Sequence, residues 1–300
     1  MALGLCGIRT ACEFAQTGIF RNLESVLDLG SQEIHATKND FLKIVKSYGY
    51  SPDLKNFPNI DNWPKDHLNS ESLKSFWRLL GFQKIDQTDI NSRYGAKYLD
   101  LNEPLKDETL IDSYDLVTDF GNNEHPFNSA EAFKTMHKIC KKHGLLWTHQ
   151  KLYGGNGFYN YDVSFFECMA AANNYEILSA FLTIWTENDQ DQLRIPLSIS
   201  LLNCLDLNKL ESIGISYLFR KTSNDDFKVP LQFSITENND WKNGRTLYKP
   251  SFLPELTHLG VSPKRAYIPG SISKRQALKI VCDSLLTKKF SNLLFKNLNF

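Results

Sequence analysis

Short apolar runs that end in glycine or polar residues alternate with stretches of helical periodicity along the first 235 residues. The run Ser25–Leu29 ends at Gly30, which is typical of a buried parallel strand. Apolar positions at helical spacing predict a helix over 129–143, with Asn128 or Ser129 as its N-cap and Gly144 as its stop. Four further runs predict strands, at 83–90, 96–101, 114–119 and 144–149. Strand, helix and strand in this order predict a parallel α/β sheet.

Three other segments extend this pattern. Residues 3–20 predict a helix that covers a sheet edge, and 164–173 predict a further helix. The run 214–221 predicts a strand that pairs with 196–202. An antiparallel pair at the end of a parallel sheet is common in α/β folds.

The segment 38–80 is longer than an ordinary crossover between strands. It contains two helical patterns around a loop, and we interpret it as a helical insertion after the first strand. The tail 236–300 carries several prolines and then a basic amphipathic helix over 273–292. The sequence therefore predicts one domain over 1–235 and a C-terminal extension over 236–300.

Composition narrows the classes of function. Lys and Arg number 34, and so do Asp and Glu, so a formal net charge of +0 predicts neither a nucleic-acid nor a membrane partner. The most apolar segment, 175–185, is too short to cross a bilayer and contains Glu176. The N-terminus lacks the basic region of a signal peptide, and the six cysteines form no CxxC pair. We expect a cytoplasmic protein with reduced thiols and no metal; homo-oligomer formation stays open.

Acidic residues stand at two predicted strand ends. Asp28 comes shortly before Gly30, and Asp89 ends the second strand of the predicted sheet. A glycine turn lets a nucleotide-type ligand approach the backbone, and an acidic residue after the next strand can bind both ribose hydroxyls. A strand that ends in Asp-x-Gly is equally typical of a tight turn, so the spacing leaves both interpretations open.

Five segments resemble, in order, the motifs of class I S-adenosylmethionine (SAM)-dependent methyltransferases of a small-molecule branch. They are VLDLGSQEIH (26–35), TDINSRYGAKYLDLNEPL (88–105), YDLVTDFGNNEHPFN (114–128), GFYNYDVSFFECMAAANNYEIL (157–178) and LFRKTSNDDFKVPLQ (218–232). The resemblance covers roughly residues 22 to 235. It implies a Rossmann-like, mostly parallel sheet with flanking helices, and SAM as cofactor.

The resemblance also implies roles for single residues. Asp89 would bind the ribose, Ile90 and Leu101 would flank the adenine, and Asp100 would bind its amino group. Two further groups would lie near the methionine part of SAM: Asp28, Gly30, Ser31 and Gln32 after the first strand, and Asp119, Phe120 and Gly121 after the fourth.

The sequence departs from the family pattern in two places. Gln32 and Ile34 stand where the first motif usually has its later glycines. The fourth motif lacks the Asn/Asp-Pro-Pro-Tyr/Phe sequence that binds a nucleobase amino group, which argues against DNA amino methylation.

Three side chains are candidates for acid–base work on the methyl acceptor. His125 follows the fourth strand, His149 ends the fifth, and Glu124 would orient His125 or bind an acceptor amine. The alternative is that Glu124 and His125 cap the next helix.

The sequence thus predicts a methyltransferase that acts on an O or N atom of a small molecule, such as a sugar, a glycan precursor or a secondary metabolite. The alternative is a methyltransferase-like scaffold without catalysis that binds a partner. A nicotinamide-linked oxidoreductase does not explain the motifs at 100–102 and after the fourth strand.

Overall fold

Ten strands and five α-helices occur in the residues that the computed structural model describes, which are 2–57, 70–185, 192–197 and 211–232. The strands are β1 (Ala2–Gly4), β2 (Ser25–Leu29), β3 (Glu33–His35), β4 (Lys84–Asp89), β5 (Lys97–Tyr98), β6 (Tyr114–Phe120), β7 (Cys140–Tyr153), β8 (Glu176–Trp185), β9 (Gln192–Pro196) and β10 (Ser212–Arg220). The helices are α1 (Leu5–Gln16), α2 (Lys38–Ser47), α3 (Ser70–Leu79), α4 (Ser129–Ile139) and α5 (Val163–Ala172).

Eight strands form one sheet in the order β5-β4-β2-β6-β7-β10-β8-β9, and β1 pairs with β3 separately. The strands from β5 to β7 are parallel to their neighbours, whereas β10 runs antiparallel to both β7 and β8. The chain winds outward from β2 to β5, then returns to β6 on the other side of β2. This reversal between β2 and β6 is the switch point at which doubly wound sheets bind ligands.

Two apolar cores lie on the two faces of this sheet. One contains α1, α2 and α3, and the other contains α4 and α5. Successive strand residues point to opposite faces, so Leu116 belongs to the first core and Val117 to the second. In the same way, Leu145 belongs to the first core and Leu146 to the second. The predicted Rossmann-like α/β class, with a mostly parallel sheet and flanking helices, is confirmed.

Most of the predicted elements are present. The strands at 25–29, 83–90 and 114–119 and the helix at 164–173 are confirmed as β2, β4, β6 and α5. Both helical patterns within 38–80 form helices, α2 and α3, with 58–69 outside the described residues. The strand predicted at 96–101 is only two residues long, because Asp100 turns the chain by accepting the backbone N–H of Asn102.

The helix predicted over 129–143 ends at Ile139, and the chain enters β7 at once. Gly144, the predicted stop, lies five residues beyond this end, and the left-handed backbone conformation next to it belongs to His143, whose φ is 65°. Backbone hydrogen bonds explain this boundary. The N–H of His143 donates to the carbonyl of Lys221, and the N–H of Lys221 donates to the carbonyl of Gly144.

Two other predictions hold only in part. Residues 3–20 start with β1 and then form α1, which packs on a face of the sheet, where Phe14 contacts Trp147. The same helix also contacts the edge strand β9, through the ion pair of Glu13 and Arg194. The strand predicted at 214–221 does not pair with 196–202. It is β10, which lies between β7 and β8, while β9 pairs with β8 and 198–202 lie outside the described residues. Such pairings join distant parts of the chain, and local pattern does not specify them.

The predicted extension 236–300, with its helix at 273–292, lies outside the described residues. Within the described part of the chain, none of the helices has the length and apolar character needed to cross a membrane.

Candidate functional site

A cleft of about 330 Å³ opens at the carboxyl ends of the parallel strands, at the switch point between β2 and β6. Its size falls in the range of small-molecule sites. The residues that line it come from the end of β4 and from the loops after β2, β4, β5 and β6. They are Gly30, Thr88, Asp89, Ile90, Asn91, Leu99, Asp100, Leu101, Asn102, Asn122, His125 and Pro126.

The loops after β2 and β4 meet through the carboxylate of Asp89. Its Oδ2 accepts the backbone N–H of Ser31 at 2.8 Å, and its Oδ1 accepts the N–H of Asn91 at 3.0 Å. Gly30 has a φ of 81°, a left-handed conformation that favours glycine and turns the chain toward Asp89. The predicted ribose-binding carboxylate therefore stands beside the glycine turn, in the same cleft.

Apolar side chains form the wall beyond Asp89. Ile90 is 57% exposed, and Leu99 and Leu101 complete this wall. The carboxylate of Asp100 lies in the same wall and accepts the backbone N–H and the side-chain amide of Asn102 at 2.9 and 3.1 Å. Aliphatic side chains beside a carboxylate suit a flat base that carries an amino group.

The side chain of Gln32 forms a hydrogen bond across the turn that follows β2. Gln32 is fully buried, and its Nε2 donates to the carbonyl of Leu29 at 2.6 Å. Its Oε1 has no hydrogen-bond partner among the described residues. The side chain folds back on the turn, so Gln32, which stands where the resembled motif usually has a glycine, does not line the cleft. Ser31 presents its backbone N–H to Asp89.

Asp119, predicted near the methionine part of the cofactor, is fully buried and organises the loop after β6. Its Oδ1 accepts the backbone N–H groups of Asn122 and Asn123, and its Oδ2 accepts the amide of Gln150. Burial raises the pKa of Asp119 to about 7, although these hydrogen bonds lower it. The adjoining Gly121 turns the chain with a φ of 76°. Asp119 thus shapes the loop that carries Asn122 and His125 to the cleft.

Glu124 and His125 lie in this loop and differ in exposure. Glu124 is buried, and its Oε2 accepts the backbone N–H of Lys151 at 2.9 Å, while its Oε1 is 3.8 Å from Nε2 of His125. Burial raises the pKa of Glu124, against the hydrogen bond from Lys151. His125 is exposed and lines the cleft. Neither residue caps α4, because Asn128 is its N-cap.

Asp28 points away from the cleft, toward the α3 side of the sheet. It is fully buried and accepts hydrogen bonds from the indole of Trp77, the amide of Gln87 and the hydroxyl of Thr118. Burial raises the pKa of Asp28 to about 6, although these three hydrogen bonds lower it. Asp28 therefore joins strands and helix, and any effect on a ligand passes through the turn that follows it.

Phe120 and His149 also point to the face opposite Asp119. Phe120 packs against Trp147, with ring centroids 4.9 Å apart, and His149 lies with them around a space of about 20 Å³. Burial lowers the pKa of His149 to about 3, so its ring stays neutral at physiological pH. This placement separates His149 from the cleft, and His125 is the candidate base that lines it.

The cleft also contains residues that the motifs did not single out. Asn102 and Asn122 directly follow predicted site residues, and Pro126 follows His125. Their position just beyond strand ends is the signal that could have identified them. The described residues hold no group of three or more His, Cys, Asp or Glu side chains that could bind a metal ion.

No protein-family model matches this sequence, and no curated protein matches it. Solved structures of methyltransferases resemble the fold. An S-adenosylmethionine-dependent methyltransferase from Mesorhizobium loti is 12% identical with a TM-score of 0.37, and the match covers 71% of this chain and 100% of that one. A SAM-dependent methyltransferase from Archaeoglobus fulgidus is 10% identical with a TM-score of 0.35, over 71% of this chain and 94% of that one. Both of these solved structures are described as SAM-dependent methyltransferases.

Proposed function

We propose that this protein is a SAM-dependent methyltransferase that moves a methyl group to an O or N atom of a small molecule. The observation that carries the proposal is the composition of the cleft. Five residues predicted from the motifs to hold the cofactor line this one space, although they come from three different loops: Gly30, Asp89, Ile90, Asp100 and Leu101.

The chemistry of these side chains fits SAM. Asp89 offers carboxylate oxygens to two ribose hydroxyls, and Asp100 offers an acceptor to the adenine amino group. Ile90 and Leu101 provide apolar surface for the two faces of the base. The turn at Gly30 lets the backbone approach the ligand closely.

When bound, SAM would supply a methyl group on a positively charged sulfur, whose carbon–sulfur bond breaks as the bond to the acceptor forms. The protein's part is alignment, because such a displacement needs the acceptor atom in line with that bond. His125 is exposed at the edge of the cleft and can take the proton that the acceptor hydroxyl or amine loses. Buried Glu124, 3.8 Å away, orients its ring.

The test is calorimetric titration of the full chain with SAM and with its demethylated product, S-adenosylhomocysteine (SAH). We expect micromolar binding of both. Asp89→Ala should weaken SAH binding about tenfold to hundredfold, because a hydrogen bond to a charged group contributes about 1.5–3 kcal/mol.

Asp53→Ala is the matched control, since Asp53 is exposed and its Oδ1 also accepts a backbone N–H two residues on, that of Lys55. The variant Asp89→Asn keeps an oxygen that can accept the backbone N–H of Ser31. If this variant unfolds at the same temperature as the wild type, a loss of SAH affinity in it is not caused by unfolding. If neither SAM nor SAH binds the wild-type chain, the proposal fails and the non-catalytic scaffold is the remaining interpretation.

A further inference from the structure

A second cavity, of about 610 Å³, lies next to the cofactor cleft, between the first turns of α4 and α5 and the segment 227–232. Its volume is in the range of small-molecule pockets. Six aromatic side chains dominate its wall: Phe127, Phe133, Tyr159, Tyr161, Phe165 and Phe227.

The cavity and the cofactor cleft share one wall, the segment 126–128. Pro126 lines the cleft, whereas Phe127 and Asn128 line the cavity. The wall is held in place by Asn102, which itself lines the cleft. The backbone N–H of Asn128 donates to Oδ1 of Asn102 at 3.0 Å. The side-chain amide of Asn128 donates to the backbone carbonyl of Asn102 at 3.1 Å.

Several polar side chains of the cavity already have partners within the protein. Asn160 accepts the N–H of Gly155, and Asp162 accepts the N–H of Ser164. The hydroxyl of Tyr161 donates to the carbonyl of Asn123 and lies 2.5 Å from that of Ser129. Asp162 is the single charged side chain among the described lining residues. A phosphate needs cations, and the described lining residues supply none, so a phosphate does not suit this wall.

Apolar groups also stand exposed at the mouth of the cavity. Phe127 is 79% exposed and Leu231 is 69% exposed. Phe127 meets the ring of Phe158, itself 72% exposed, edge to face at 6.3 Å between centroids. A contiguous exposed apolar patch of this kind marks a binding surface.

We propose that this cavity binds the methyl acceptor, and that the acceptor is an uncharged molecule with an aromatic ring, such as a phenol or an indole. The inference rests on the proposed function and narrows its acceptor to one class of small molecule. In the reaction, the new bond to the acceptor oxygen or nitrogen forms as the carbon–sulfur bond breaks. The electron pair of that bond stays on the sulfur of SAH, and the acceptor proton passes to His125.

The test is titration of the full chain, saturated with SAH, with 1-naphthol as the aromatic probe and glucose as the polar one. We expect 1-naphthol to bind and glucose not to bind. Phe127→Ser and Leu231→Ser should each weaken 1-naphthol binding about threefold to tenfold, the contribution of one aromatic or apolar contact. Both side chains are exposed, so the variants should fold. Ile111→Ser, at a 41% exposed position outside the cavity, is the matched control and should bind 1-naphthol as the wild type does.

The outcomes separate this inference from the proposed function. If SAH binds but 1-naphthol does not, or binds equally to all variants, the cavity is not the acceptor site while the proposed function stands. If glucose binds and 1-naphthol does not, the acceptor class is wrong. If the chain forms a dimer in sedimentation experiments that Phe127→Ser abolishes, a second copy covers the cavity and the inference is overturned. Failure of SAM and SAH to bind overturns the proposed function itself.

Discussion

The carboxylate of Asp28 accepts the indole N–H of Trp77, with Nε1 at 3.2 and 3.1 Å from its two oxygens. Asp28 belongs to β2 and Trp77 to α3, and both are fully buried. The helical segment that the sequence marks as an insertion is thus joined by a buried hydrogen bond to the strand that precedes the turn at Gly30.

Trp77→Phe should lower the free energy of unfolding by about 1–3 kcal/mol, because it leaves a buried carboxylate with one donor fewer. Urea denaturation at pH 7 measures this. Trp185→Phe is the matched control, since the indole N–H of Trp185 is buried without a hydrogen-bond partner among the described residues and its loss should cost little. Equal losses in the two variants would contradict a role for the Asp28 contact.

Asp119→Asn should remove a pH dependence of stability. The folded-state pKa of Asp119, about 7, lies above its ordinary value of 3.8. The folded chain therefore holds a proton that the unfolded chain has lost, and this contribution to stability falls as pH rises from about 4 through 7. The free energy of unfolding of the wild type relative to the variant should accordingly fall between pH 4 and pH 8.

The Asn side chain should fit this site. The Oε1 of Gln150 has no partner among the described residues, so a flipped Gln150 can accept from the new amide. His149, whose folded-state pKa of about 3 lies below its ordinary value, acts in the opposite direction, with stability lost as pH falls below about 6.5. His149 is present in both the wild type and Asp119→Asn, so its effect cancels in the difference between their free energies of unfolding. A difference that does not change with pH would contradict the prediction.

Arg194→Met should lower the free energy of unfolding by about 3–5 kcal/mol, because it leaves the Glu13 carboxylate buried without its cation. Nη1 of Arg194 lies 2.6 Å from Oε2 of Glu13 and donates to the hydroxyl of Thr10, which joins β9 to α1. The double variant with Glu13→Gln should recover most of this loss, which a double-mutant cycle measures. Additive losses would mean that the pair is not coupled.

His125→Ala should lower kcat about 100-fold or more and leave SAH affinity within threefold, as expected for a proton acceptor that does not hold the cofactor. Transfer of a labelled methyl group from SAM to 1-naphthol, or to the best acceptor in a panel of phenols, measures this. His143→Asn is the control, because His143 is exposed and asparagine tolerates its φ of 65°. A larger change in SAH affinity than in kcat would assign His125 to cofactor binding instead.

Strand ends alone could predict part of the site. Gly30 and Asp89 stand where predicted strands end, and parallel strands bring such ends to one edge of a sheet. Asp100 was predicted only through the resemblance of residues 88–105 to the methyltransferase motifs. The directions of individual side chains could not be predicted in this way. Because successive side chains of a strand point to opposite faces of the sheet, Asp119 and Phe120 must face opposite ways. Which face each of them occupies is decided only by the helices that pack on the sheet.

The sequence by itself determined the α/β class, most strand and helix positions and the place of Asp89 at a strand end, because periodicity, capping and turn residues act over short distances. The tertiary structure alone decided that β10 enters between β7 and β8, that Asp28 binds Trp77 instead of facing the cleft, and that His149 is buried on the far face. It also placed the aromatic cavity beside the cleft at the switch point, with the segment 126–128 as their shared wall. These features depend on contacts between distant segments, whose pairing is set by how the whole chain packs.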